Sequence, residues 1–242
     1  MTGNVDEGPP LGQLGISSGL RAFVSEMPLH RRRILDFVRA VAVETSAHET
    51  VLDLGAGDGP YRELFDHATY ISNDWEESVH PGARSADVVA PAWDLPLDSS
   101  SIDLVLATEL LEHVPDPGRV LRECARVIKA GGRLAVTVPM TWQLHELPHD
   151  YFRFTPAGIE ELMRGAGFID CEAQAGGDSF STLAQLILNT ASTLGQADDG
   201  LNDLREHVRG VLYPLAAQIA QLAPLDARGA LPLGCVARAR RP

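Results

Sequence analysis

The stretch Val51-Leu-Asp-Leu-Gly-Ala-Gly-Asp-Gly59 concentrates more chemistry than any other part of this chain. A short apolar run leads into a turn built on Gly55, Gly57 and Gly59. Glycines let a backbone turn sharply and let a ligand approach without side-chain obstruction. The helix-like segment that follows would offer free amide donors at its start. The spacing is not the G-x-G-x-x-G of a dinucleotide loop, and Asp53 and Asp58 would repel a pyrophosphate. Acids beside a glycine turn suit a ligand with a cationic end. Glu109-x-x-Glu112-His113 places two carboxylates and an imidazole near one helical face or turn. Such a donor set suits Mg²⁺, Mn²⁺ or Zn²⁺, although local packing or capping by the same side chains is an equally open reading. Residues 140–155 are dense in histidine and aromatic side chains. Histidine accepts a proton near neutral pH, which makes His145 and His149 candidate bases.

These groups need a scaffold, and the apolar patterning supplies one. Ile34, Phe37, Val38 and Val41 fall on one face of a helix over 29–43. Arg31, Arg32 and Arg33 at its start read as a solvated face. Strands are expected over 51–54, 69–72, 87–89, 102–107, 133–138, 168–175 and 233–239. A short helix is expected over 62–67, and an amphipathic one over 117–129 that stops at Gly131-Gly132. Thr155-Pro156 opens another with a threonine N-cap. The rhythm predicts an α/β fold: a Rossmann-like, seven-stranded, mostly parallel sheet flanked by helices, with ligand at the strands' C-terminal ends. Residues 1–15 read as a flexible tail, 16–47 as an N-terminal helical cap, and 48–175 plus 231–242 as the core. Residues 176–230 read as a helical insertion, with helices near 180–194 and 201–222, that forms a lid or a homodimer interface.

Composition narrows the partners. The net charge of −13 over 242 residues argues against nucleic acid, which needs a positive surface. Cys124, Cys171 and Cys235 lie far apart and form no C-x-x-C pair, as expected of reduced thiols in the cytoplasm. No basic start followed by an apolar core marks the N-terminus, and no apolar run approaches the ~20 residues of a membrane span.

Five ordered motifs resemble the class I S-adenosylmethionine-dependent methyltransferases of the small-molecule type, over residues 48–175. They are the loop 51–59, Tyr70-Ile-Ser-Asn-Asp74, Leu95-Pro-Leu-Asp98 followed by Ile102-Asp-Leu-Val105, Glu109-Leu-Leu-Glu-His-Val-Pro-Asp116, and Lys129-Ala-Gly-Gly-Arg-Leu134. The resemblance implies S-adenosylmethionine as cofactor. Gly55, Ala56, Gly57 and Gly59 would then present backbone to its methionine end, with Asp53 attracting the ammonium or ordering the loop. Asp74, assisted by Asn73, would accept both ribose hydroxyls, as an ionised carboxylate can. Ala92 and Trp93 would lie against adenine, and Thr108 and Glu109 near the methionine end. Pro91 departs from the pattern, since the family often carries an acid there. The Glu109, Glu112, His113 spacing is also similar to the metal site of ubiquinone-pathway O-methyltransferases and of small-RNA 2′-O-methyltransferases.

Methyl transfer from a sulfonium is an in-line displacement with a good leaving group, so positioning dominates and a base helps when the acceptor carries a proton. Residues 140–155 form the natural acceptor wall, with His145 or His149 as base and Trp142, Tyr151, Phe152 and Arg153 as contacts. Asp150, Tyr151 and Arg153 could equally lock the loop. The expected reaction is methylation of O or N on a small-molecule acceptor, a natural product or sugar-containing metabolite. A lipid-linked glycan as acceptor and a non-catalytic scaffold are the alternatives.

Overall fold

The computed structural model describes residues 10–195, 200–226 and 229–242. Two helices come first, α1 (Ser18–Glu26) and α2 (Pro28–Val43), followed by β1 (Thr50–Leu54), β2 (Thr69–Asp74), β3 (Val88–Val89) and β4 (Ile102–Thr108). Helix α3 (Pro117–Val127), β5 (Ile128–Pro139), α4 (Pro156–Gly165) and β6 (Ile169–Gly176) continue the alternation. Helices α5 (Ser179–Thr193) and α6 (Asn202–Ala220) precede the last strand, β7 (Gly234–Arg240). The seven strands form one sheet in the order β3-β2-β1-β4-β5-β7-β6. The pairings from β3 through β5 are parallel, and β7 runs antiparallel to both β5 and β6.

Period-two alternation sends neighbouring strand residues to opposite faces. Val51, Leu104, Leu106 and Ala135 pack with Leu20, Val24, Ile34, Leu35 and Val38 of α1 and α2. Leu52, Val105, Ala107 and Val136 pack with Leu121 and Cys124 of α3 and Ile159 and Met163 of α4. The N-terminal helices therefore cover a whole face of the sheet, besides reaching its ligand-binding end. Of the expected tail, Leu11–Gln13 form a 3-10 turn, Leu11 and Leu14 pack against this cluster, and residues 1–9 lie outside the described residues. The caps follow the sequence: Asp116 Oδ1 accepts from the Arg119 amide at 2.9 Å, and Thr155 Oγ1 from the Gly158 amide at 3.1 Å.

Three elements differ from expectation. The helix over 62–67 is a single 3-10 turn, Arg62–Phe65, pinned by the fully buried Phe65. The amphipathic helix ends at Val127, because Ile128 is extended and pairs with Ile102 of β4. Burying Ile128 in the sheet outweighs another half turn of helix. The arginine run is not uniformly solvated. Arg32 pairs with Asp36 on the exposed side, but Arg33 is drawn in to within 3.7 Å of Glu109, and Arg31 lies over the Phe23 ring.

The insertion is a helical pair, with α5 packed on α6 and on α2. Asp178 caps α5 through Phe180 and Ser181 amides. Ala216 is the buried residue of α6, while Leu204, Val211, Tyr213 and Leu215 stay exposed. No helix among the described residues is long and apolar enough to cross a membrane.

Candidate active site

The glycine loop is tied to the end of β2. Asn73 O accepts from the amides of Gly55 and Ala56, each at 2.9 Å, and Asp74 Oδ2 accepts from the Gly57 amide at 2.7 Å. Gly55 and Gly57 sit at φ +75° and +56°, where side-chain-bearing residues are strained; a Cβ on Gly55 would also meet Leu110 Cδ1 at 2.8 Å. Asp74 Oδ1 takes the Trp75 amide at 2.8 Å, and Asp58 takes the Gly82 amide at 2.7 Å. Asn73 spends its amide nitrogen on the carbonyls of Val88 and Ala90. Asp53 lies beneath the loop and accepts from the Tyr70 hydroxyl. Burial pushes its carboxyl up to about 6; the Tyr70 hydrogen bond opposes that rise and the nearby Asp74 charge adds to it.

Two cavities meet at this loop. The first is lined by Asn73, Asp74, Trp75, Ala92, Trp93 and His149, among others. Trp75 meets Trp93 and His149 edge-on, with centroids at 5.9 and 5.3 Å. The second is lined by Gly55, Ala56, Gly57 and Thr108 on one side and by Phe23, His30, Tyr61, Trp142 and His145 on the other. Gly55, His80, Glu109, His113 and Glu146 line both. The first cavity thus has the acid, the apolar strand end and the flat walls that a nucleoside needs, and the second begins where its 5′ substituent would lie.

Glu109 stands at the junction. Its backbone is in the left-handed region, φ 50°, a strain that persists only where surroundings over-determine it. Thr137 Oγ1 donates to its Oε1 at 2.8 Å, and His30 Nε2 lies 3.2 Å from Oε2. Burial alone would raise this carboxyl, but His30, Arg33 and the Thr137 hydroxyl outweigh it and hold the group at about 2. The His30 ring stacks on Trp142 at 4.3 Å.

A second cluster sits beside it. Glu112, His113 and His145 each offer one ligand atom, all within 4.8 Å of one another. Both Glu112 oxygens and His145 Nδ1 are buried without a hydrogen-bond partner. His113 Nδ1 lies 2.7 Å from the His149 carbonyl. It therefore donates there, and the lone pair is left on Nε2, the arrangement metal-binding imidazoles use. Burial and the neighbouring Glu109 push the Glu112 carboxyl well above the usual range. This donor set fits a divalent cation. Glu109 is not in the group, being drawn toward His30 and Arg33.

Residues 140–155 fold back on themselves. Arg153 grips Asp150 with both terminal nitrogens, at 2.5 and 2.8 Å, and donates to the Gln143 and Phe152 carbonyls. That fork holds the Asp150 carboxyl down at about 2, against the opposing effect of burial, with the His145 amide adding a hydrogen bond. Burial lowers the His145 imidazole, and neighbouring His113 pushes the same way.

Of the residues expected from sequence, Gly55, Ala56, Gly57, Asn73, Asp74, Ala92, Trp93, Thr108, Glu109, Trp142, His145 and His149 line one or both cavities. His145 is on the second and His149 on the first, so the two expected bases are separated. Asp53, Gly59, Tyr151, Phe152 and Arg153 line neither. His30, Tyr61, Trp75, His80 and Glu146 were not expected. His30 sits on a helix whose apolar period explains itself, so no local signal sets it apart.

Residues 52–136 match the family described as methyltransferase domain. Over 121 residues the chain is 33% identical to the ubiquinone biosynthesis O-methyltransferase of Coxiella burnetii, covering 44% of this chain and 50% of that protein. Over 104 residues it is 35% identical to the 27-O-demethylrifamycin SV methyltransferase of Amycolatopsis mediterranei, covering 37% of this chain and 38% of that one. A SAM-dependent methyltransferase from Archaeoglobus fulgidus shares the fold, with TM-score 0.56 at 18% identity over 91% of this chain and 98% of that chain. So does Haemonchus contortus phosphoethanolamine N-methyltransferase 2 bound to S-adenosyl-L-methionine, with TM-score 0.53 at 16% identity, covering 94% and 61%. The loop, the strand order and these likenesses define a class: the chain belongs to the class I S-adenosylmethionine-dependent methyltransferases. Its cofactor is S-adenosylmethionine. The chain spans about half the length of the first curated relatives it matches.

Proposed function

We propose that this protein transfers a methyl group from S-adenosylmethionine to an oxygen or nitrogen of a small-molecule acceptor. The observation that carries the reading is the junction of the two cavities at Gly55 and Glu109. Adenosine would occupy the first, between Asp74 and the Trp75–Trp93 pair, with its hydroxyls on Asp74. The methionine end would follow the Gly55–Gly57 backbone, and the acceptor would enter between α2 and residues 140–146. Calorimetry with S-adenosylhomocysteine should give saturable one-site binding. Incubation with S-adenosylmethionine and a panel of hydroxyl and amine acceptors should release S-adenosylhomocysteine. A protein that does neither contradicts the reading.

A second reading concerns a metal, and the buried, unpartnered Glu112 oxygens favour it. Glu112, His113 and His145 would hold a divalent cation, which would supply charge to polarise an acceptor oxygen. Titration of the whole chain with Mn²⁺ should show one site, lost in Glu112→Gln. Heat identical to buffer dilution would remove the metal from the account.

A further inference from the structure

We propose that His30, held by Glu109, is the general base that removes the proton from an aromatic or enolic hydroxyl of the acceptor. The proposal rests on the methyltransferase reading above and adds the base and the acceptor class. His30 reaches the site from the first turn of α2, far in sequence from the motifs around the cofactor. Its Nε2 lies 3.2 Å from Glu109 Oε2. A carboxylate in that position fixes the proton on Nε2 and leaves the lone pair on Nδ1. Nδ1 is shut from solvent and has no hydrogen-bond partner, although the ring lines the second cavity. Buried polar atoms are almost always paired, so this one marks a place a bound molecule would complete.

The surroundings indicate what that molecule is. The imidazole stacks on Trp142 with planes 29° apart, and Phe23 meets Tyr61 edge to face at 5.8 Å. Phe23, Tyr61 and Trp142 all line the same cavity. Flat apolar walls around one basic nitrogen match a planar acceptor with an acidic hydroxyl. Arg31 on the same wall disfavours a cationic amine. The other histidines are committed elsewhere: His145 is grouped with Glu112 and His113, and His149 lies against Trp75 in the first cavity.

In the reaction the acceptor oxygen forms a bond to the methyl carbon as the sulfur–methyl bond breaks. The electron pair of that bond remains on sulfur, giving neutral S-adenosylhomocysteine. The hydroxyl proton passes to His30 Nδ1, Glu109 balances the imidazolium, and the proton leaves to water after the product.

The test uses the full chain saturated with S-adenosylhomocysteine and titrated with 4-nitrocatechol, whose visible absorption reports ionisation of its hydroxyl, at a pH below the probe's own pKa. The wild type should bind the probe in its ionised form and methylate it when S-adenosylmethionine replaces the product. His30→Ala and His30→Gln, the second of which keeps a donor toward Glu109, should bind S-adenosylhomocysteine as the wild type does. Both should lose probe ionisation and on the order of 100-fold or more in methylation rate, and added imidazole should restore part of the His30→Ala rate. Equal ionisation in the variants overturns the proposal. So does a wild type that binds S-adenosylhomocysteine but neither binds nor ionises the probe. A wild type that binds no S-adenosylhomocysteine overturns the underlying reading instead.

Discussion

The two cavities that meet at Glu109 are built differently. The first is walled by strand ends and by backbone: the Gly55–Gly57 turn hangs from Asn73 and Asp74, and Ala92 and Trp93 follow β3 directly. The second is walled by side chains from segments far apart in the chain, with Phe23 and His30 from α1 and α2, Tyr61 after the loop, and Trp142 and His145 after β5. A backbone wall depends on few residues, and those few cannot change. A side-chain wall can be rebuilt one residue at a time, so the same fold can hold one donor while its acceptors vary.

If that contrast is right, the first half should break at its backbone. Gly55→Val adds β-branched bulk at positive φ and against Leu110. Strain of this kind costs about 1–3 kcal/mol before the clash is counted, so calorimetric binding of S-adenosylhomocysteine should disappear. The next largest effect should come from Asp53, which this half hides beneath its loop. Folding raises its pKa from 3.8 to about 6, so its contribution to stability is fully present below pH ~4 and is lost as pH rises through about 6. The loss is about 3 kcal/mol by linkage. Asp53→Asn should therefore gain on the wild type in urea midpoint between pH 4 and pH 7; parallel pH profiles would contradict the burial. Asp74→Ala removes two charge-assisted acceptors and should weaken S-adenosylhomocysteine by about 2–3 kcal/mol, or ~30–150-fold. The smallest effect tests the other half. Trp142→Ala should leave S-adenosylhomocysteine affinity unchanged while altering which acceptors are turned over; a large loss of cofactor affinity would erase the distinction between the two walls.

The same contrast explains what could be read from the chain. Gly55, Gly57, Asp74 and the strand run 102–108 are contiguous patterns with a local physical reason, and the sheet and its donor site follow from them. The paired helices at 179–193 and 202–220 were visible for the same reason, through their apolar period. His30 and Tyr61 were not, because nothing in their local sequence separates a cavity wall from ordinary packing. Arg33 read as solvated since three consecutive arginines normally are; only the approach of Glu109, 76 positions later in the sequence, draws it inward. His145 and His149 were visible as a pair, but their division between two cavities depends on how Asp150 and Arg153 fold the loop, and residue spacing does not encode that.

The chain contains three tryptophans. Trp75 and Trp93 line the first cavity and Trp142 the second. Its intrinsic tryptophan fluorescence therefore arises wholly from the walls of the site, with no distant emitter to dilute it. Filling the first cavity should change the emission of one pair, and filling the second that of a single indole stacked on an imidazole. A protein in which Trp142 alone remains would be an optical sensor for the acceptor, readable before the acceptor has a name.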